Sequence, residues 1–148
     1  MRARTATVLT AVPSADAMVH RISTALPEHA WLVAERSENV VGWAATMPYL
    51  LLSEYSGVAE FSVYVSPDEQ GAGVGRLLME TLMDAAEQAG LHKMTSRVFA
   101  NNVASRALLA RLGFREVGTY LRHIRMDGEW RDVVVVEALL GKAKMDTP

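Results

Sequence analysis

A glycine-rich turn between a predicted strand and a predicted helix holds the residues best suited to bind a ligand. Residues 61–65 alternate apolar and polar side chains, as a half-buried strand does, and Gly71, Gly73 and Gly75 follow them. Glycine lacks a Cβ and adopts positive φ freely, so main-chain N–H groups in such a turn can converge on one ligand. Apolar residues then recur at helical spacing up to Gly90. The turn therefore precedes a helix N-terminus, which favours a phosphate or pyrophosphate.

The spacing of the glycines separates three kinds of phosphate-binding loop. A Walker loop needs Lys and then Ser or Thr after its last glycine, whereas Gly75 is followed by Arg76 and Leu77. A dinucleotide-binding GxGxxG loop would need its third glycine one residue later. Gln70, Gly73 and Gly75 fit the pattern QxxGxG after a VYV strand, which resembles the pyrophosphate-binding motif of the GNAT acetyltransferase superfamily. A glycine-rich turn without a ligand is the alternative.

Composition limits the classes of function. A chain of 148 residues with 50% hydrophobic content predicts one domain, 1–148, with one core. A net charge of -2 gives no basic surface for nucleic acid, and no apolar run approaches the roughly 20 residues that cross a membrane. The chain has no cysteine, so we expect no disulfide and a cytoplasmic location. The four histidines lack ligand spacing, so no metal is expected.

The remaining pattern predicts hairpins, followed by a helix between two parallel strands. Ser14 is predicted to cap a helix that ends near Pro27, although residues 1–17 also carry features of a secretion signal, which is the alternative. This order of elements indicates a mixed α+β sheet rather than a doubly wound one. The predicted elements are strands 31–34 and 40–47, turn 36–39, loop 48–57, strand 93–99, helix 103–112, and strands 114–125 and 133–139 around turn 127–129.

A second motif makes the resemblance to GNAT enzymes specific. Asn102, Ser105, Leu108 and the triplet 112–114 match NxxSxxLxxxLGF, at the distance from QxxGxG that GNAT enzymes show. Stretches 31–35, 59–60, 118–119 and 128–132 resemble the phosphinothricin and methionine sulfoximine acetyltransferase group. The resemblance covers about residues 8–140 and implies the GNAT acyl-CoA N-acyltransferase fold, a mixed, mostly antiparallel sheet with flanking helices. Family members usually begin with a further strand and helix, which we expect this chain to lack.

The resemblance implies transfer of an acetyl group from acetyl-CoA to a primary amine of a small molecule. Main-chain groups of Val63 and Val65 would pair with the pantetheine arm, and residues 71–76 would hold the pyrophosphate. Asn102 would lie near the thioester or pantetheine, and its alternative role is that of a helix N-cap. The cofactor-binding set implied in this way comprises Val63, Tyr64, Val65, Gln70, Gly71, Ala72, Gly73, Val74, Gly75, Arg76 and Asn102.

The reaction needs a base for the amine, a donor for the thioester oxygen and an acid for the leaving thiolate. Glu60 matches the base glutamate of the phosphinothricin acetyltransferase group and is our predicted catalytic residue; a solvated strand-end carboxylate is the alternative. The main-chain N–H of Val63 is predicted to stabilise the oxyanion. Many GNAT enzymes carry Tyr or His as the acid where this chain has Leu109. Water, Tyr64 or Tyr120 would then have to protonate the thiolate.

The acceptor side departs from the family. Leu50, Leu51 and Leu52 stand where phosphinothricin enzymes have basic residues, so we expect a less anionic or more apolar amine. Direct attack in a ternary complex is expected because no cysteine can form an acetyl-enzyme. The short N-terminus predicts a homodimer. A non-catalytic acyl-CoA-binding sensor or subunit is one alternative; a peptide or protein N-terminal acetyltransferase that uses loop 48–57 is another.

Overall fold

A computed structural model describes residues 13–145 of the chain, so most of the signal-like stretch 1–17 lies outside the described residues. The strands form one sheet in the order β1-β2-β3-β4-β6-β5, which confirms the predicted mixed α+β sheet. The elements are α1 Ala15–Ser23, β1 Trp31–Arg36, β2 Asn39–Pro48, β3 Val58–Val65, α2 Val74–Gln88, β4 Lys93–Phe99, α3 Val103–Arg111, β5 Arg115–Met126 and β6 Glu129–Leu139.

The chain divides into two compact units. Within the described residues, one unit comprises 13–24 together with Ser96–Glu137, and the other comprises Ala25–Thr95 together with 138–145. We call the first the α3 unit, which also contains α1, and the second the α2 unit. The single domain expected over 1–148 stays a prediction.

In the α2 unit, helix α2 packs on the antiparallel strands β1, β2 and β3. Gly42 of β2 permits this close approach: a Cβ built there would lie 2.9 Å from the main-chain oxygen of Tyr64 and 3.0 Å from Cδ1 of Leu78 on α2. The buried residues of α2 recur at helical spacing and form its core face. They are Val74, Leu78, Met79, Leu82 and Ala86.

Strands β3 and β4 are parallel and α2 connects them, as the sequence predicted. Their register pairs Val58–Glu60 with Lys93–Thr95. Gly90 follows the end of α2 with a φ of 85°, which confirms its predicted role at the C′ position.

In the α3 unit, two predicted boundaries are wrong. Helix α1 is capped by Ser14 as predicted but ends at Ser23, before Pro27, where the Thr24 hydroxyl donates to the oxygen of His20 and competes with a further helical turn. Strand β6 begins at Glu129 rather than at residue 133. A two-residue turn with positive φ at residues 127 and 128 lets the strands pair at once across the hairpin.

Candidate functional site

The anion turn, residues 70–76, joins β3 to α2. Gly71 and Gly73 have φ values of 81° and 86°, and Gly73 is the N-cap of α2. The first helical hydrogen bond runs from the N–H of Leu77 to the oxygen of Gly73 over 3.0 Å. The N–H groups of the three residues between them therefore have no partner within the helix. Free N–H groups of this kind, together with a helix dipole, favour an anion at a helix N-terminus.

Gly75, unlike Gly71 and Gly73, does not adopt positive φ. Gly75 is the second residue of α2 and has helical geometry, because the reversal of the chain is already complete at Gly73. Apart from the chain neighbours of each glycine, a Cβ built on Gly71 or Gly73 would meet no atom of residues 13–145 within 4 Å. These two glycines are therefore required by their backbone conformation, and the space beside them is open to a ligand.

Side chains on either side of the turn hold it in place. Nε2 of Gln70 donates to the main-chain oxygen of Val65 over 3.4 Å, and Nε of Arg36 lies 3.1 Å from Oε2 of Glu69. Gln70 thus uses its amide to shape the turn. The hydrogen bond between Gln70 and Val65 connects the end of β3 to the turn. The ion pair between Arg36 and Glu69 connects the end of β1 to the residue that precedes the turn.

Arg76 supplies a cation at the third position of α2. Its Nε donates to Oε1 of Glu80 over 2.8 Å, and this hydrogen bond raises the pKa of Arg76 above its usual value. The side chain is 69% exposed, so solvent screens the ion pair and its charge remains accessible to a ligand anion.

Successive residues of β3 direct their main-chain N–H and C=O groups alternately to the two edges of the strand. The N–H of Ser66 donates to the oxygen of Val41 over 2.8 Å, so even-numbered residues of β3 bond to β2. The odd-numbered residues Val63 and Val65 therefore direct their N–H and C=O groups to the opposite edge. The parallel register with β4 ends at Glu60, before both of them. Tyr64, in contrast, pairs with β2, so its main chain does not face that edge.

Glu60 is the third residue of β3 rather than its first. It is half-buried and stands opposite Met47 of β2 and Thr95 of β4. A Cβ built on Gly42 would point toward α2. Gly42 stands opposite Val65, and residues that stand opposite each other share a face of the sheet, so the odd-numbered residues of β3 face α2. The carboxylate of Glu60 therefore lies on the other face of the sheet.

That other face carries a row of aromatic rings. The ring of Tyr64 lies 4.9 Å from that of Trp43, which in turn stacks on Trp31 at 5.5 Å. Tyr64 is four residues beyond Glu60 in β3, so their side chains share this face. Tyr64 therefore remains a candidate for the acid.

A cleft of about 230 Å³ opens at the start of the same strand. We call it the leucine cleft, because residues 50–52 contribute three consecutive leucines to its wall. Val58 also lines it, and Val58 shares a face of β3 with Glu60 because they are two residues apart. The apolar wall consists mainly of Leu26, Leu50, Leu51, Leu52, Tyr55 and Val58.

Two polar residues that the sequence did not indicate, Glu28 and His29, also line the leucine cleft. His29 is 8% exposed, and its Nδ1 lies 3.3 Å from Oγ1 of Thr46, which accepts from the N–H of Ala30 over 3.1 Å. Burial lowers the pKa of His29, and the charge of Glu28 offsets part of this effect. The ring is therefore neutral at pH 7.

The α3 unit holds the second motif. Oδ1 of Asn102 accepts from the N–H of Ser105 over 3.2 Å, so Asn102 is the N-cap of α3. Leu109, at the expected position of the acid, is 1% exposed and belongs to the core. The ring of Tyr120 is 51% exposed and stacks on His123 at 4.5 Å. A place for Asn102 beside the thioester stays a prediction.

Within residues 13–145, no three His, Asp or Glu side chains are grouped so that they could hold a metal ion. No helix in that range is long and apolar enough to span a membrane.

The chain is similar to known acetyltransferases. Residues 7–114 match the acetyltransferase (GNAT) family. Phosphinothricin N-acetyltransferase of Streptomyces coelicolor is 39% identical over 68% of this chain and 59% of its own length. An L-methionine sulfoximine/L-methionine sulfone acetyltransferase of Pseudomonas paraeruginosa is 30% identical over 72% of this chain and 62% of its own length. The chain thus spans about three fifths of the length of these curated relatives.

A solved structure shows the same fold. The phosphinothricin acetyltransferase of Sinorhizobium meliloti, solved in complex with acetyl-CoA, superposes with a TM-score of 0.84 and 27% identity over 92% of this chain and 75% of its own. The match confirms the resemblance that QxxGxG and the Asn102 motif predicted. The chain belongs to the GNAT acetyltransferase family.

Proposed function

We propose that this chain is an N-acetyltransferase that transfers the acetyl group of acetyl-CoA to a primary amine of a small molecule. The observation that carries the proposal is the continuity of one segment: Glu60, the edge of β3 at Val63 and Val65 beyond its register with β4, and the anion turn follow one another along β3 and into α2. The names of the relatives and the acetyl-CoA bound to the Sinorhizobium meliloti enzyme support it.

The donor is held by main-chain groups. The N–H groups of residues 71–76 and the cation of Arg76 bind the pyrophosphate, because they combine an open turn, unpaired donors and a helix dipole. The pantetheine arm extends along β3 and bonds to the outward groups of Val63 and Val65. The N–H of Val63 then donates to the thioester oxygen as negative charge develops on it.

Glu60 acts as the general base. The amine nitrogen gives up a proton to Glu60, directly or through one water, and attacks the thioester carbon. The tetrahedral intermediate collapses to the amide and releases CoA as a thiolate, which takes a proton from water or from Tyr64. Leu109 takes no part in this step, since it has no exchangeable proton and is buried.

A thiol-release assay with acetyl-CoA and a panel of amines tests the proposal. Glu60→Gln is expected to lower kcat on the order of 10²–10⁴-fold, because the amide cannot accept the proton, while the dissociation constant of CoA stays unchanged. Glu54→Gln is the matched control, since Glu54 is exposed in loop 48–57 and its carboxylate accepts only local hydrogen bonds among the described residues, from its own backbone and from Ser53 next to it. Equal kcat values in Glu60→Gln and the control would show that Glu60 is not the general base.

Burial of Leu109 favours a second candidate function, a non-catalytic acyl-CoA sensor or subunit. In that case calorimetry shows tight binding of CoA, and no amine of the panel causes the release of CoA thiol from acetyl-CoA. Turnover of any amine that depends on Glu60 excludes this candidate.

A cytoplasmic location and a homodimer complete the proposal as predictions from the sequence. Fractionation of cells that express the tagged chain tests the location. Sedimentation velocity at micromolar concentration tests the dimer, and a monomer there contradicts it.

A further inference from the structure

The leucine cleft has an apolar wall that is exposed to solvent. Leu51 is 89% exposed, Leu52 58% and Leu50 45%, although each belongs to the lining. Contact between such side chains and water is unfavourable by about 25 cal/mol for each Å² of apolar surface. A ligand that covers them with an apolar body gains this free energy.

The charges at the cleft are wrong for an anionic ligand. Among the described residues, none of those that line the cleft is a lysine or an arginine. Glu28 is its carboxylate, and His29 is held in the neutral form by burial. A ligand carboxylate would lose water there without gaining a cationic partner, and Glu28 would repel it.

The position of the cleft fits an acceptor whose nitrogen lies at Glu60. Val58 lines the cleft, and the side chain of Glu60 follows on the same face of β3 about 7 Å further along the strand. An amine joined to its apolar body by a short arm spans such a distance. The nitrogen then lies at the base while the body contacts the leucines.

The volume of the leucine cleft limits the size of the apolar body that it can hold. The cleft measures about 230 Å³. A cavity of about 150 Å³ lined by apolar side chains holds one benzene molecule. The leucine cleft therefore has room for a ring of that size with a short alkyl arm.

We propose that the leucine cleft binds the apolar body of the acceptor, and that the acceptor is a monoamine without a carboxylate, of the arylalkylamine or branched alkylamine class. This inference rests on the proposed function. It goes further by separating this chain's acceptor from the phosphinothricin and methionine sulfoximine named for its relatives.

Pairs of amines that differ by one group test the inference. In the thiol-release assay, 2-phenylethylamine is expected to have a kcat/KM on the order of 100-fold above that of phenylalanine, which adds only a carboxylate. 1,4-Diaminobutane is expected to react more slowly than 2-phenylethylamine, because its second ammonium would lose water against the leucines and the single carboxylate of Glu28 offsets this cost only in part. Equal or faster reaction of either competitor overturns the inference.

A charge placed in the cleft provides the second test. Leu52→Arg is expected to raise kcat/KM for phenylalanine and to lower it for 2-phenylethylamine, so that the preference falls at least about tenfold. Val40→Arg is the matched control, because Val40 is 59% exposed on β2 and does not line the cleft. An identical preference in both variants overturns the inference.

A binding measurement distinguishes failure of this inference from failure of the proposed function. If no amine turns over, saturation-transfer NMR with the CoA-loaded protein still measures whether 2-phenylethylamine binds. Binding that Leu52→Arg abolishes and Val40→Arg retains supports the cleft as its site. Absence of binding to the unmodified chain overturns the inference.

Discussion

The side-chain amide of Gln70 and the main-chain oxygen of Val65 lie 3.4 Å apart, with the amide as donor. The contact closes the chain on itself between the last residue of β3 and the first residue of the anion turn. It therefore couples the edge proposed to bind the pantetheine to the N–H groups proposed to bind the pyrophosphate.

Replacement of Gln70 is predicted to weaken CoA binding through this contact. In Gln70→Ala one hydrogen bond is lost, worth about 1 kcal/mol, and the dissociation constant of CoA should rise about fivefold. In Gln70→Glu the new carboxylate also repels the pyrophosphate, so the rise should exceed tenfold (~1.4 kcal/mol). Calorimetry with CoA measures both. Gln88→Glu, at the exposed C-terminal end of α2, is the charge-matched control and should bind CoA as the unmodified chain does.

Alanine substitutions at Gly73 and Gly90 separate the effect of backbone strain on stability from the effect on CoA binding. Both have positive φ, 86° and 85°, and a Cβ on either meets nothing within 4 Å. Alanine at either position should therefore cost about 1–2 kcal/mol of stability, measured by urea unfolding. Only Gly73→Ala should also weaken CoA binding, about tenfold or more, because Gly73 caps the end of α2 at the anion turn. A similar loss of CoA affinity in Gly90→Ala contradicts the assignment of the site.

Gly42 is predicted to be intolerant of a side chain for a different reason. Its Cβ would press on the oxygen of Tyr64 and on Leu78 at 2.9 and 3.0 Å, and a main-chain oxygen in the sheet cannot move away easily. Gly42→Ala should cost about 1–3 kcal/mol through overpacking against α2. Gly118→Ala is the control, because a Cβ there meets nothing within 4 Å and its φ is not positive. Equal midpoints of urea unfolding in the two variants would refute the packing argument.

Local signals made much of the α2 segment predictable. The ends of α2 follow from Gly73 and Gly90, since glycine is the residue that takes positive φ without strain. The parallel pairing of β3 and β4 follows from the helix that connects them. The family followed from two motifs at a fixed distance rather than from either motif alone.

Contacts between distant residues could not be predicted in this way. The cleft combines the 26–29 segment with the 48–58 segment, and no periodicity in either indicates that they meet. Thr46 and His29 are 17 residues apart and meet because the N–H of Thr46 donates to the main-chain oxygen of Ala30 and Oγ1 of Thr46 accepts from the N–H of Ala30. A lone histidine in a sequence carries no sign of such a partner.

The burial of His29 predicts how stability changes with pH. Its pKa in the folded chain is lowered from the value of 6.5 that it takes when unfolded, chiefly because burial disfavours the imidazolium. Above pH 6.5 both states are neutral there and the contribution is fully present; as the pH falls toward the lowered value, only the unfolded state takes up the proton. The free energy of unfolding should therefore fall more steeply below pH 6.5 in the unmodified chain than in His29→Gln, which cannot titrate. Urea unfolding between pH 8 and about pH 5 measures the difference. A slope in His29→Gln that matches that of the unmodified chain contradicts the neutral, buried state of His29.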